Sequence, residues 1–340
     1  MEFLTGTVSK FYVNCPPEPY IHNINIMRKT NRRIFVRNIT GLALGTSLLP
    51  WACKGSRSSL YPTRVLGRTG EKVSILTLGG YHVAQESVTE EQSIGIIRKA
   101  IDMGVNFLDN AHVYNDGRSE TMMGLALRDG YREKVLLMTK LNARTLEGIK
   151  QQLETSLKRF GLDSFDLMQF HNVGQQEGDV DAIYGNRLPE WAEEQRSQGV
   201  FKYIGFTGHA DPKVLIDMIE RGFTWDTVQM PLNPGDHQRD VSFEKDVLPL
   251  AREKGIGIIG MKTNGFGWMG NSGIATPVEG LRYAMSLPVA TVVSGIDTMD
   301  ILEENVGVFQ QFTPMSEDEK TELLARCKGH SDVIEKHYRR

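Results

Sequence analysis

Eight short apolar runs recur along the chain, and their spacing constrains the fold more than any other feature. They lie at 75–80, 106–109, 135–140, 165–171, 203–207, 227–230, 257–262 and 291–295. Runs of this length read as strands buried on both faces of a parallel sheet. Taking Gly80, Asp109, Lys140, His171, Thr207, Gln229, Met261 and Gly295 as strand ends, successive ends stand 22 to 36 residues apart. One strand–helix–strand unit needs about 30 residues. Helix patterns fill the intervals. In 90–104, Ile94, Ile97, Ala100 and Ile101 share a face, and in 145–161 Leu153, Leu157 and Phe160 do. Eight uninterrupted units predict a (β/α)8 TIM barrel, whose usual length of about 250 residues fits the part of the chain after residue 60. No Gly-x-Gly-x-x-Gly follows the first run, which disfavours a doubly wound nucleotide-binding sheet. Arg68-Thr-Gly70 lies between two short β-type runs and predicts an N-terminal β-hairpin plugging the barrel bottom. Residues 316–340 read as one or two closing helices.

The chain divides into 1–60 and 61–340 by charge. All 340 residues sum to −3, from 39 Lys plus Arg against 42 Asp plus Glu. Residues 1–60 hold eight basic and two acidic residues, so they carry +6 and the remaining 280 carry −9. The lack of an overall basic excess argues against a nucleic-acid partner. Cys15, Cys53 and Cys327 are too few and scattered for a disulfide framework or a cysteine zinc site, and no metal is expected. In the leader, Met27 directly precedes five basic residues between Arg28 and Arg37, so the true start is expected at Met27. An uncharged stretch, 38–53, follows. It is too short and too weakly apolar to span a bilayer, and its parts are those of an export signal. Asn31-Arg32-Arg33-Ile34-Phe35 resembles the twin-arginine signal, which implies the twin-arginine export machinery as a partner and a bacterial periplasmic location. Leu49-Pro-Trp-Ala-Cys53 resembles a lipoprotein processing site, with a lipid anchor at Cys53. A leader that does not function would leave the protein cytoplasmic.

Active sites of (β/α)8 barrels lie at the C-terminal strand ends. Asp109, Tyr114, Lys140 and His171 stand there after the second, third and fourth runs. Phe107-Leu-Asp109-Asn-Ala-His-Val-Tyr114-Asn-Asp-Gly-Arg-Ser-Glu120, the lysine closing Val-Leu-Leu-Met-Thr-Lys140, and Leu157-Lys-Arg-Phe-Gly-Leu-Asp-Ser-Phe-Asp-Leu-Met-Gln-Phe-His171 together resemble the aldo-keto reductase superfamily. The resemblance covers about residues 61–315 and implies an NAD(P)H-dependent oxidoreductase. Its substrate would be an aldehyde, ketone or sugar carbonyl, or the corresponding alcohol.

The chemistry of the four groups agrees with that implication. A phenol with a pKa near 10 is a reluctant proton donor. A cationic Lys140 beside Tyr114 is expected to lower its pKa, with Asp109 holding the lysine charged. His171 would share and orient the substrate oxygen.

For the cofactor, the resemblance implies that Gln229 holds the nicotinamide carboxamide. Thr207 keeps the hydroxyl expected at the fifth strand end, but Gly208 replaces the family's asparagine. Met261 replaces the stacking aromatic of the seventh strand. Lys262 and the glycine-rich loop after it suit a pyrophosphate. Gly295, Glu304 and Asn305 fall in the segment that resembles the adenosine-binding part. NADP(H) is the family's usual cofactor, yet Asp297 and Asp300 would repel a 2′-phosphate, which leaves NAD(H) open. The Gly-Phe-Thr-Gly-His and Met-Lys sequences resemble a branch that often carries a C-terminal iron–sulfur module. With Cys327 alone there, no cluster is expected. Tyr81, His82, His112 and Trp268 are candidate substrate contacts. Two other functions fit parts of the pattern: a Schiff-base aldolase using Lys140, and an exported sensor or binding subunit that retains its cofactor.

Overall fold

Ten strands form over residues 61–330, the part of the chain that the structure, a computed structural model, describes. The leader, with Met27, Arg32, Arg33 and Cys53, lies outside the described residues, as do residues 331–340 of the expected closing helices. β1 (Thr63–Val65) and β2 (Lys72–Ser74) pair antiparallel. The other eight are β3 (Leu76–Gly79), β4 (Phe107–Asp109), β5 (Leu136–Leu141), β6 (Leu167–Phe170), β7 (Tyr203–Thr207), β8 (Thr227–Pro231), β9 (Gly257–Met261) and β10 (Thr291–Gly295). They pair in parallel in chain order, and β10 closes on β3. This is the expected (β/α)8 barrel. The strand ends fall within two residues of the expected ones. β8 runs past Gln229 because Met230 and Pro231 still register with Gly260 and Met261.

Alternation along each strand decides which side chains reach the barrel interior. Phe107, Leu136, Met138, Leu167 and Ile259 form the inner cluster, while Leu108, Leu137, Met168 and Val228 join the core between strands and helices. Counting by twos from the inner residues leads upward to Asp109, Lys140, His171 and Met261. The apolar floor of the barrel and the polar groups at its mouth therefore belong to one inward-facing parity.

The hairpin closes the floor. Leu66 at its turn is wholly buried with Phe107, Leu136 and Ile259. The Arg68 amide donates to Gly255 O at 2.9 Å, and Tyr203 Oη donates to Glu71 Oε1 at 2.9 Å. The helix Glu90–Asp102 begins in a capping box formed by Thr89 and Gln92 and buries Ile96, Ile97, Ala100 and Ile101. The helix Leu146–Phe160 is capped by Thr145 and stops at Gly161, which takes a left-handed conformation. The helix Glu317–Cys327 supplies the described part of the C-terminal closure.

Candidate active site

Lys140 is the hub of the barrel mouth. Its side chain is 1% exposed. The ammonium donates to Asp109 Oδ1, to Asn110 O at 2.8 Å and to Tyr114 Oη at 3.2 Å. All three N–H groups are thereby committed. The tyrosine hydroxyl accepts from Lys140, so its own proton is directed elsewhere. The His171 ring stands edge-on to Tyr114 with centroids 5.7 Å apart. Asp109 also accepts a hydrogen bond from the Gln229 side chain. The four residues expected to act together are together.

Their protonation follows from burial and neighbours. Burial would lower the Lys140 pKa, but Asp109 and Tyr114 outweigh it and the ammonium is held above its ordinary value. Burial pushes Tyr114 up, and the opposing pull of Lys140 does not offset it. This corrects the expectation of a lowered phenol: Lys140 acts in the expected direction, but the net shift is upward. Burial likewise raises Asp109 against the pull of Lys140. Burial first, then the charges of Lys140, His209, Lys262 and Arg144, keep His171 well below the ordinary histidine value. His171 is therefore neutral near neutral pH.

The Tyr114 loop is braced from below. Glu120 is fully buried and takes Thr139 Oγ1 at 2.8 Å and Arg159 at 3.1 Å. Arg159 also donates to His112 O at 2.9 Å and lies near Asp116 O, which brackets Tyr114 on both sides. Gly117 makes room for the guanidinium. A Cβ there would stand 2.1 Å from Arg159 Cζ, and its φ of +87° favours glycine. Sequence reasoning gave no role to Glu120 or Arg159, although both lie in the quoted motifs. Glu120 among the apolar residues Met123, Gly124 and Leu127 of its helix face was the available signal; Arg159, on a face with Ser156, Thr155 and Gln152, gave none.

The expected substrate contacts separate. Tyr81, on the short helix Gly80–Val83, is exposed and stands edge-on to Tyr114 at 5.5 Å. His82 lies against Gly295, where a Cβ would come within 2.2 Å of its Nδ1. It also feels the charge of Asp297. His112 turns away to Ser156 Oγ at 3.2 Å and to Arg159, so it belongs to the brace under the loop. Trp268 packs with Met269 and Ala275 and lies 5.3 Å from the His330 ring, beside the C-terminal helix. The His112 amide donates to Lys140 O at 2.9 Å, but its ring is engaged by Ser156 and Arg159, and Trp268 opens the short helix Trp268–Ser272, packed on the cluster of Met269 and Ala275, so neither side chain shows a contact with the tetrad.

The expected cofactor residues line β7 to β10. Thr207, Met261 and Gly295 end their strands, and Gln229 registers with Thr207. Gln229 Oε1 is buried without a hydrogen-bond partner, so the side chain presents an acceptor that suits a carboxamide N–H. Gly208 has no room for the family's asparagine: a Cβ would lie 2.5 Å from Val173 O and 2.6 Å from Leu215 Cδ1. Lys262 Nζ sits 3.9 Å over the Phe266 ring, and burial holds it well below the ordinary lysine range. No described carboxylate pairs with it. An incoming anion would relieve that desolvation, which fits a phosphate. Asn305 donates to Ser294 Oγ at 3.0 Å, and Glu304 is exposed on the same helix, Met299–Gln310. The unpartnered acceptor of Gln229 and the cation of Lys262 fit the carboxamide and the phosphates that a nicotinamide nucleotide would bring.

Comparison with known proteins adds to this geometry. The Aldo/keto reductase family model matches residues 75–279. L-Galactose dehydrogenase of Arabidopsis thaliana is 24% identical over 297 residues, 76% of this chain and 91% of that protein. The holo form of an aldo-keto reductase from Bacillus halodurans superposes with a TM-score of 0.65 at 22% identity, covering 82% of this chain and 100% of that one. An aldo-keto reductase from Klebsiella pneumoniae, solved in complex with NADPH, gives a TM-score of 0.63 at 19% identity over 77% and 94% of the two chains.

Proposed function

The chain belongs to the aldo/keto reductase family of oxidoreductases, and we propose that it interconverts a carbonyl and its alcohol with a nicotinamide nucleotide, Tyr114 giving the proton. One observation carries this reading: the hydroxyl of the half-buried Tyr114 accepts from a buried ammonium whose other two donors are committed to Asp109 and Asn110.

The nucleotide, when bound, supplies the hydride. Tyr114 remains protonated in the free site, ready to donate. As its proton leaves, negative charge develops on the phenol oxygen 3.2 Å from Lys140, where the ammonium is worth most. Neutral His171 donates from its ring to the substrate oxygen and sets its angle. Asp109 and Lys140 are buried beneath the half-buried Tyr114 and His171, so the charged pair is shielded from water while the two proton-handling groups face the substrate. In the reverse direction Tyr114 must lose its proton first, so alcohol oxidation gains as pH rises.

Gln229 and Thr207 are the proposed carboxamide contacts, and Lys262 the pyrophosphate contact. Glu304 and Asn305 are the proposed adenosine contacts. NADP(H) is the proposed cofactor, in keeping with the NADPH bound by the Klebsiella pneumoniae protein. NAD(H) is a second reading, favoured by Asp297 and the exposed Glu304 beside the β10 end. Tyr81 is the proposed substrate wall. The Schiff-base alternative is weakened by Lys140 itself, because a nucleophilic amine must shed its proton and this one is held above its ordinary value. Titrating the purified chain with NADPH and NADH, then adding aldehydes and sugars while following nucleotide oxidation, tests the proposal. Tight binding with carbonyl-dependent turnover is expected; a chain that binds neither nucleotide overturns it. Export through the Arg32-Arg33 leader is a separate proposal. Cell fractionation with Arg32→Lys/Arg33→Lys tests it, and an unchanged distribution would reject it.

A further inference from the structure

His171 stands one residue beyond the end of β6, where strand pairing no longer holds both sides of its backbone. Its amide still donates to Leu141 O at 2.7 Å. Its carbonyl accepts from a side chain, Arg144, at 2.8 Å. The next residue, Asn172, has a φ of +54°, so the chain turns sharply away from the strand direction at this point. The same guanidinium reaches Asp179 at 2.9 Å, and its third nitrogen donates to Asn142 O at 3.0 Å. Asp179, 5% exposed in its side chain, accepts the amides of Gly174 and Gln176 at 3.0 and 3.3 Å. Asn186 donates to Arg144 O at 2.7 Å. One buried ion pair thus ties the loop after β5, the whole turn of residues 171–179 and the carbonyl of the site histidine.

We propose that Arg144, held by Asp179, is the positioning residue of His171: its planar fork fixes the peptide from which the imidazole hangs and so aims the ring at the substrate oxygen. The inference rests on the reading of His171 as the group that orients the carbonyl. Geometry favours an arginine here. A planar fork meets the carboxylate and the two backbone oxygens at fixed angles in one plane, and a lysine would bring the charge without those angles. The pair also has an electrostatic effect. Arg144 is one of the charges that disfavour protonation of His171, with Lys140 from β5, His209 from beyond β7 and Lys262 from the end of β9. Tyr114 faces the ring as a neutral phenol.

The full chain with 13C-labelled histidine tests this in Arg144→Met, Arg144→Lys and the double variant Arg144→Met/Asp179→Asn, which leaves no buried carboxylate unpaired. Arg144→Met is expected to lower kcat about tenfold to a hundredfold, the scale of a misplaced catalytic group. Nucleotide affinity should stay within about twofold, since the pair does not touch the nucleotide side. The His171 resonance, assigned with His171→Asn, should titrate at higher pH than in the native chain. Arg144→Lys should return the titration while recovering kcat only in part. The double variant should fold and show the same kcat loss. Unchanged kcat and an unchanged resonance in the Met variant would overturn the proposal. So would a parallel fall of Tm, nucleotide affinity and kcat in the double variant, which would make the pair a brace of the fold alone. A failure of the proton-donor reading itself would appear elsewhere, as activity surviving in Tyr114→Phe with the His171 resonance still responding to Arg144.

Discussion

The two halves of the barrel mouth are built on different terms. On the side of β4 to β6, the charged groups satisfy one another, and the buried atoms left without a partner, Gln169 Oε1 and Asn172 Oδ1, are neutral amide oxygens: Lys140 spends every donor within the protein, Glu120 meets Thr139 and Arg159, and Asp179 meets Arg144. On the side of β7 to β10, two polar groups are presented rather than paired. Gln229 Oε1 is buried without a partner, and the Lys262 ammonium is covered by the Phe266 ring. The first arrangement fixes geometry at folding, because a half-satisfied buried network costs more than none. The second keeps groups for a ligand that brings its own donors and charge. Catalytic precision and cofactor affinity are thus assigned to different sides of one rim.

That division can be broken first where it is strictest. Tyr114→Phe removes the proton donor while keeping the ring, and kcat for carbonyl reduction should fall by about two to four powers of ten, the usual worth of general acid catalysis. Nucleotide affinity measured by fluorescence titration should hardly change. Comparable losses in both would mean that the halves are coupled. Lys140→Met goes further, since it leaves Asp109 buried without its cation. Thermal or urea unfolding should show a loss of about 3–5 kcal/mol, as for other broken buried pairs, together with lost turnover.

On the nucleotide side the same class of change should act on binding. Gln229→Leu removes the unpartnered oxygen and the donor to Asp109 together. We expect nucleotide affinity to fall by about tenfold to a hundredfold, the range for losing one or two hydrogen bonds in a closed site. A loss confined to kcat would place Gln229 with the tetrad instead. Gly208→Asn restores the family's residue and sharpens the contrast. Its Cβ would strike Val173 O and Leu215, so we expect about 1–3 kcal/mol of destabilisation from overpacking and no gain in affinity. A variant that binds nucleotide more tightly would show that the turn after β6 yields.

The fold was legible because it is periodic. Strand runs, helix faces and the hairpin repeat elementary alternations that survive in a single sequence, and the inward parity that puts Asp109, Lys140 and His171 at one level follows from counting by twos. The tetrad was legible because its motifs carry their spacing with them. His112 and Trp268 were not, because a residue in the segment after a strand, whether on a loop like His112 or at the start of a short helix like Trp268, can turn either way. His112 turns to Ser156 across 44 residues, and no local pattern announces that contact. Arg144 and Asp179 were missed for the same reason: they lie 35 residues apart on different loops and meet only when β5 and β6 are side by side. The rise of the Tyr114 pKa also escaped the sequence, since the lysine was visible but the degree of burial was not.

An effect that appears only as a change with pH bears on whether the nucleotide side has a self-satisfied support of its own. Asp236, in the turn after β8, is wholly buried, and burial pushes its carboxyl up to about 7 against the pull of Arg239. It accepts from Arg239 at 3.4 Å and from the Glu244 amide at 3.2 Å. Asn233 of the same turn donates to Lys262 O at 3.0 Å, which connects this cluster to the proposed phosphate contact. A carboxyl with a folded pKa above its unfolded value holds its proton more tightly when folded. Its stabilising contribution is complete below the unfolded value near 4 and is lost as pH rises through about 7. Asp236→Asn cannot titrate, so the stability difference between variant and native chain should move in favour of the variant by about 2–3 kcal/mol between about pH 5 and about pH 8. His237 is raised chiefly by its hydrogen bond to Glu244 and also by Asp236, so the two proteins are compared in a His237→Gln background. Urea unfolding at the two pH values measures the difference. A difference that does not move with pH would mean that Asp236 is ionised throughout, paired with Arg239 in the manner of Glu120 with Arg159, and the two sides of the rim would then rest on the same kind of buried pair.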